Sequence, residues 1–209
     1  MAADEERESR AALRRRLIAE RLAMGEAERR RANAAILRHL SARFPPGRFG
    51  VVAGYWPIRG EADPLPYLAE VIAAGGVTAL PVTPPTPAPL AFRRWTPGAA
   101  METDSVGVPH PVDGAEVTPE ALIVPLAGFD AAGHRLGYGA GYYDRTLAAL
   151  SPRPYAIGVG FELGRLATIA PEPHDEPLDA IVTEAGLVWP PAPGRLSVAG
   201  ARARARGRR

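Results

Sequence analysis

The chain contains no cysteine. A disulfide, a thiolate metal site and a cysteine nucleophile are therefore excluded. It contains no lysine either, so all 25 basic residues are arginine. That removes a Schiff-base lysine and the lysine of a Walker-type phosphate loop. No apolar run approaches the length of a membrane span. The opening residues, MAADEERESR, carry no apolar h-region, so no secretory signal is expected. These absences make a soluble, cytoplasmic protein without a membrane partner the expectation.

What remains is ample for a core. Hydrophobic residues make up 46% of 209, which suits one domain of moderate size. The net charge of +2 conceals an asymmetry: AGARARARGRR at the end holds five arginines and no acid, and without it 20 arginines face 23 acids. The body is thus mildly acidic. Residues 1–190 are expected to form one α/β domain, and 191–209 a Pro/Arg-rich tail without fixed structure. With no aromatic interleaving and no basic body, the tail is not expected to bind nucleic acid specifically.

Periodicity gives the elements. Ser9 to Met24 reads as a helix with Leu13, Leu17, Ile18 and Leu22 apolar. Glu26 to Arg43 reads as a second, with Ala32, Ile36, Leu40 and Phe44 stepping by four. A strand is expected at Val51 to Tyr55. Asp63 and Pro64 start a helix that carries Leu65, Leu68, Val71 and Ile72 and stops at Gly75 and Gly76. Strands follow at Val77 to Val82, Leu90 to Trp95 and Leu122 to Leu126. Thr96 to Pro119 is turn-rich with little periodicity and reads as a long irregular loop. Tyr142 to Leu150 reads as a helix, and Tyr155 to Phe161 and Ala180 to Thr183 as strands. Strands alternating with helices predict a single three-layer α/β domain, its central sheet mostly parallel and flanked by helices.

The most informative segment is Arg135 to Arg145, RLGYGAGYYDR. Gly137, Gly139 and Gly141 alternate with other residues, and glycine lets backbone N–H groups turn toward a ligand. A helix begins where the loop ends, and orphan N–H groups there favour a phosphate. Asp144, in the first helical turn, is placed to hold a metal ion. A plain tight turn accounts for the glycines equally well. A dinucleotide fingerprint fits poorly, because the G-x-G-x-x-G spacing and the immediate strand-to-loop turn are both missing. Flanking Arg135 and Arg145, with Asp144, favour a nucleotide-phosphate loop.

Other candidates are weaker. Arg10 and Arg14 lie four apart on one helix face and could clamp an anion, or form an ordinary solvated face. Glu61 follows a strand end, where α/β folds place ligand sites, though a loop acid reads the same way. Tyr55 and Trp56 could stack on a flat ring or simply fill the core. Asp175, in PEPHDEP, could complete a magnesium site with Asp144, or lie in a surface turn. His39, His110 and His134 show no paired metal spacing.

The segment VPLAGFDAAGHRLGYGAGYYDRTL resembles the 5-formyltetrahydrofolate cyclo-ligase family, also called 5,10-methenyltetrahydrofolate synthetases. RAALRRRL, GYWPIRGEADP, LAFRRWTPG with VGVPHP, and PEPHDEPLDAIVTE keep the family's order, so the likeness runs from about Ser9 to Glu184. It implies ATP contacts at Arg10, Arg14, Arg135, Leu136, Gly137, Tyr138, Gly139, Ala140, Gly141, Tyr142 and Tyr143. It implies folate contacts at Tyr55, Trp56 and Glu61, and magnesium at Asp144 and Asp175. Arg135, Tyr143 and Arg145 become the candidate catalytic groups. The implied partners are ATP and 5-formyltetrahydrofolate, polyglutamylated or not. The expected state is a monomer. Arg10 stands where the family usually has lysine, and His110 where it usually has glutamate; after Gly160 the chain reads FELGRL where many members have a glutamine. A phosphotransferase with a non-Walker loop, and a nucleotide- or RNA-binding module, are the alternative readings.

Overall fold

The computed structural model describes residues 9–104 and 107–188. The expected tail, 191–209, lies outside them. Helix α1 (Arg10–Ala23) opens on Ser9, whose hydroxyl accepts a bond from the Ala12 amide at 3.2 Å. Helix α2 (Glu26–Arg43) buries Ala32, Ile36 and Leu40, as their spacing requires. Strand β1 (Val51–Ala53), helix α3 (Leu65–Ala73), and strands β2 (Val77–Val82) and β3 (Ala91–Arg94) follow. Next come β4 (Met101–Thr103), β5 (Pro109–Pro111), β6 (Ala121–Pro125), β7 (Gly128–Asp130) and β8 (Arg135–Leu136). Helix α4 (Tyr142–Ala149) leads to β9 (Tyr155–Val159), a short 3-10 turn (Glu162–Gly164), β10 (Arg165–Leu166), β11 (Ala180–Thr183) and β12 (Gly186–Val188).

The main sheet has the order β12-β11-β9-β6-β1-β2-β3. Every pairing from β11 through β2 is parallel, and antiparallel β12 and β3 close the edges. The α/β, mostly parallel expectation therefore holds. The sheet's two faces are read directly from strand alternation. Val52, Ile123, Ile157 and Val182 join α2 and α3 in one core, while Ala53, Leu122, Val124, Ala156 and Ile181 join Leu147 of α4 in the other.

The chain leaves β1 through α3 toward β2 and leaves β6 through α4 toward β9, in opposite directions along the sheet. The carboxyl ends of β1 and β6 therefore flank a switch point, where no crossover fills the space between the diverging loops.

Two features depart from expectation. The stretch Thr96 to Pro119 holds a hairpin, β4 against β5, rather than irregular loop. Its strands are three residues long, and Pro109 and Pro111 mask any strand-like pattern. In α1, Leu22 is 53% exposed while Arg21 is buried. The inward stripe is Arg10, Arg14, Leu17 and Arg21, spaced 4-3-4, because α1 lies on a smaller sheet (β10-β7-β8) and on loops rather than on the main core.

That smaller sheet positions the glycine segment. Asp130 ends β7, and its carboxylate is buried. Oδ1 accepts from the amides of Ala132 at 3.0 Å and His134 at 3.1 Å, and Oδ2 from the Ile169 amide at 3.2 Å. It thus fixes both the β7–β8 turn and the loop after β10. Asp130→Ala leaves these amides without their acceptor and is expected to cost about 2–4 kcal/mol. Urea unfolding checks this; a loss below about 0.5 kcal/mol, the level of an ordinary surface change, would contradict it.

Candidate active site

The loops that follow β1 and β6 face each other across a cleft of about 560 Å³. Arg10 and Arg14 of α1 form part of its wall, and so does Asp175 from the loop before β11. Nearly every residue singled out in the sequence lines it: Tyr55, Trp56, Glu61, Arg135, Gly137 to Asp144, and both α1 arginines. Two do not. Leu136 points inward and packs with Leu17 and Ile169 in a small separate core, as the alternation of β8 demands. Arg145 turns to the outer side of the loop, where it donates to the Ala140 carbonyl at 2.5 Å, lies over the Tyr142 ring and lines a smaller hollow.

The glycine loop ends at α4 as expected. Gly141 is the N-cap, with φ +66, and Gly139 has φ +94. Both are left-handed conformations that side-chain-bearing residues avoid. No side chain caps α4, so its first amides face the loop without a side-chain acceptor. Gly137 is different: its φ is not positive and a Cβ there would meet nothing within 4 Å. The protein itself gives no steric reason for glycine at that position; a ligand lying close to the backbone would supply one.

Arginines hold the loop's ends. Arg14 donates from Nε to the Gly137 carbonyl at 2.5 Å. Burial and the neighbouring Arg10 charge lower its pKa, and among the described residues no carboxylate lies within ion-pair distance of it. An anion in the cleft would supply the missing partner. Arg135 is buried and donates to Asp144 Oδ1 at 2.6 Å and to the Glu176 carbonyl at 2.7 Å. Asp144 Oδ1 also accepts from the Glu176 amide at 3.0 Å. Asp175 is gripped through both oxygens by Arg10, at 2.6 and 3.1 Å. Burial pushes the Asp175 carboxyl up, but Arg10 and the Glu172 amide outweigh it and hold it below the usual range.

The β1 loop is folded back on itself. Tyr55 donates its hydroxyl to the Ala62 carbonyl at 2.6 Å, so this hydroxyl anchors the loop and only its ring faces the cleft. Glu61, 6% exposed, accepts from the Ile58 amide at 2.8 Å through Oε2. Its Oε1 accepts from the Tyr138 hydroxyl of the glycine loop. Burial raises the Glu61 carboxyl above its ordinary range, against the pull of these bonds and of Arg21 and Arg59. Burial likewise raises the Tyr143 hydroxyl, with Glu61 adding to the effect, which keeps the phenol neutral.

Arg21 was not among the expected site residues. It is 3% exposed and reaches the Tyr138 hydroxyl at 2.6 Å. The signal was present in the 4-3-4 spacing from Arg10, but hydropathy assigns an arginine to the surface.

The assembled cleft combines a glycine-rich amide loop at a helix start, four arginines, four carboxylates and several aromatic rings. That set can hold a polyanion beside a planar ring system. Comparison with known proteins agrees. Residues 6–184 match the family model described as the 5-formyltetrahydrofolate cyclo-ligase family. The chain is 32% identical over 183 residues to a 5-formyltetrahydrofolate cyclo-ligase of Mycolicibacterium smegmatis, covering 84% of this chain and 93% of that one. It is 32% identical over 145 residues to the Escherichia coli K12 enzyme of the same name, covering 66% and 79%. The NMR structure of an Aquifex aeolicus 5,10-methenyltetrahydrofolate synthetase superposes with a TM-score of 0.75 at 27% identity, over 93% of this chain and 99% of that one. On the extent of these matches, the chain belongs to the 5-formyltetrahydrofolate cyclo-ligase family.

Proposed function

We propose that the protein converts 5-formyltetrahydrofolate and ATP into 5,10-methenyltetrahydrofolate, ADP and phosphate. The observation that carries this reading is the meeting of the glycine loop and the Glu61 loop in one cleft at the β1/β6 switch point. The chemistry needs two substrates side by side. An N-formyl oxygen is a poor leaving group until it accepts the γ-phosphoryl of ATP, as the bond from γ-phosphorus to the bridging oxygen of ADP breaks. N10 of the folate then attacks the activated formyl carbon and gives up its proton. The carbon–oxygen bond breaks, phosphate leaves, and the five-membered ring closes. No covalent enzyme nucleophile is required, which suits a chain without cysteine or lysine.

The protein's contribution is orientation and charge stabilisation. Amides of residues 137–141 and the α4 start would receive the phosphates, with Arg14 as their cation and Arg135 holding Asp144 in place. Tyr143 would donate a hydrogen bond at the reacting oxygens. Tyr55 and Trp56 would lie against the pterin and Glu61 would accept from it.

Magnesium fits the site in part. Among the described residues no three acidic or histidine side chains converge into a metal cage. Magnesium often takes one or two carboxylates and otherwise phosphate oxygens and water. Asp144 suits this, because its Oδ2 takes part in neither of its bonds. Asp175 does so only if Arg10 releases it, and the same motion would free Arg10 for the nucleotide. When bound, the ion would shield the charge of the β- and γ-phosphates.

Incubation with 5-formyltetrahydrofolate and magnesium-ATP is expected to produce the methenyl chromophore. Absorbance that does not rise, or that rises equally without ATP, refutes the reading. Asp144→Asn keeps the acceptor for Arg135 while removing the charge, so turnover should fall by about 10²-fold or more with the thermal midpoint little changed. Near-normal turnover would remove Asp144 from the metal assignment. Glu61→Gln should weaken folate use about tenfold while leaving ATP use within about twofold; equal losses in both would contradict its placement on the folate side.

A further inference from the structure

Arg21 is a buried cation with no carboxylate in direct contact among the described residues. Its Nε donates to the Arg59 carbonyl at 3.1 Å, one terminal nitrogen to the Leu126 carbonyl at 3.1 Å, and the other to the Tyr138 hydroxyl at 2.6 Å. The guanidinium also stands 5.8 Å from the Tyr138 ring centroid. One side chain therefore touches the loop after β1, the end of β6 and the glycine loop at once. The Arg59 contact matters because Arg59 has φ +49, a left-handed conformation that is unfavourable for a non-glycine residue. Without a partner on its carbonyl, that turn has less reason to persist, and Glu61 lies two residues on.

The direction of the hydrogen bonds is fixed by chemistry. A guanidinium only donates, so the Tyr138 oxygen accepts from Arg21 and its proton must point elsewhere. It points to Glu61 Oε1. Glu61 is thus the counter-charge of Arg21 at one remove, with the phenol between them. Tyr138 sits in the glycine segment by sequence, yet its hydroxyl belongs to the folate half.

Resting on the function proposed above, we propose that Arg21 is a positioning residue that acts through Tyr138, and that Tyr138 is a specificity residue for the folate rather than for the nucleotide. Together they orient Glu61 as an acceptor for the adjacent N–H donors of the pterin's pyrimidine ring. Arg21 and Arg59 are the cations facing Glu61, and the hydroxyls of Tyr55, Tyr138 and Tyr143 are its other ionisable neighbours. None of these replaces the bond that Tyr138 supplies. Losing that bond, or the Arg21 charge behind it, favours protonation of a carboxylate already desolvated, and a protonated Glu61 no longer accepts from both donors.

The test has two arms. In the first, the unliganded protein is labelled at its glutamate carboxyl carbons and titrated by NMR, with Glu61 assigned by the signal lost in Glu61→Gln. Glu61 should titrate at higher pH in Tyr138→Phe and Arg21→Met than in the wild type. In the second, steady-state kinetics of Tyr138→Phe should give a folate kcat/KM reduced about tenfold, an ATP KM within about twofold, and an acid limb moved to higher pH. An unmoved Glu61 titration in Tyr138→Phe, or an ATP KM that rises as much as the folate KM, overturns the proposal. The NMR arm needs no turnover, so a wild type that forms no methenyl product refutes the proposed function without touching this arm. If Arg21→Met does not fold, Tyr138→Phe alone decides.

Discussion

The reversal of strand order between β1 and β6 is the constraint on which the site depends. Parallel strands end on the same side, and crossovers that run in opposite directions leave an opening between the first loops of each half. Here one of those loops carries Glu61 and the other carries the glycines. Neither loop makes a site alone. The first is folded tightly back by Tyr55 and Glu61, and the second is held from below by Asp130 and from the side by Arg14. Only the sheet topology brings them together.

Arginine does the work of connection throughout. A chain without lysine has no compact ammonium to place beside a phosphate, but a guanidinium offers a planar fork of donors to several acceptors at once. Arg21 uses it to join two backbone carbonyls and the Tyr138 hydroxyl, and Arg135 to join a carboxylate and a carbonyl. Buried charges of this kind are costly unless every donor is satisfied, and they fix geometry when it is. For the reaction proposed above, which needs in-line placement of a phosphoryl group and a formyl oxygen, fixed geometry would be the protein's main contribution. The same reasoning suits Arg14 to an incoming anion, because it has burial and a like charge beside it and no acid paired to it among the described residues.

Much of this was legible from residue order, for reasons that differ by element. The parallel strands announced themselves as short apolar runs because both faces of the sheet are buried, and α2 by its four-step stripe because one of its faces is. The glycine segment was legible as a loop that ends at a helix start, because alternating glycines suit neither helix nor strand. The β4–β5 hairpin was not legible: three-residue strands containing prolines are held by pairing, not by a pattern. Leu136 was assigned to the nucleotide by its position within a motif, but strand alternation turns it inward. Arg21 and the Tyr138–Glu61 bond were hidden for a different reason. That bond joins residues 77 apart, and neither local propensity nor hydropathy encodes which distant loop a phenol will meet. His110, unremarkable by spacing, lies buried on β5 with its Nε2 3.0 Å from Glu102, a contact made by strand register alone.

In the proposed reaction the formyl oxygen receives the terminal phosphoryl group and departs with it. A substrate carrying a heavy-oxygen label in its formyl group tests this most directly, with mass analysis of the phosphate released during a single turnover with magnesium-ATP. One labelled oxygen should appear in each phosphate formed, and none in water. Label recovered in water, with unlabelled phosphate, would contradict it.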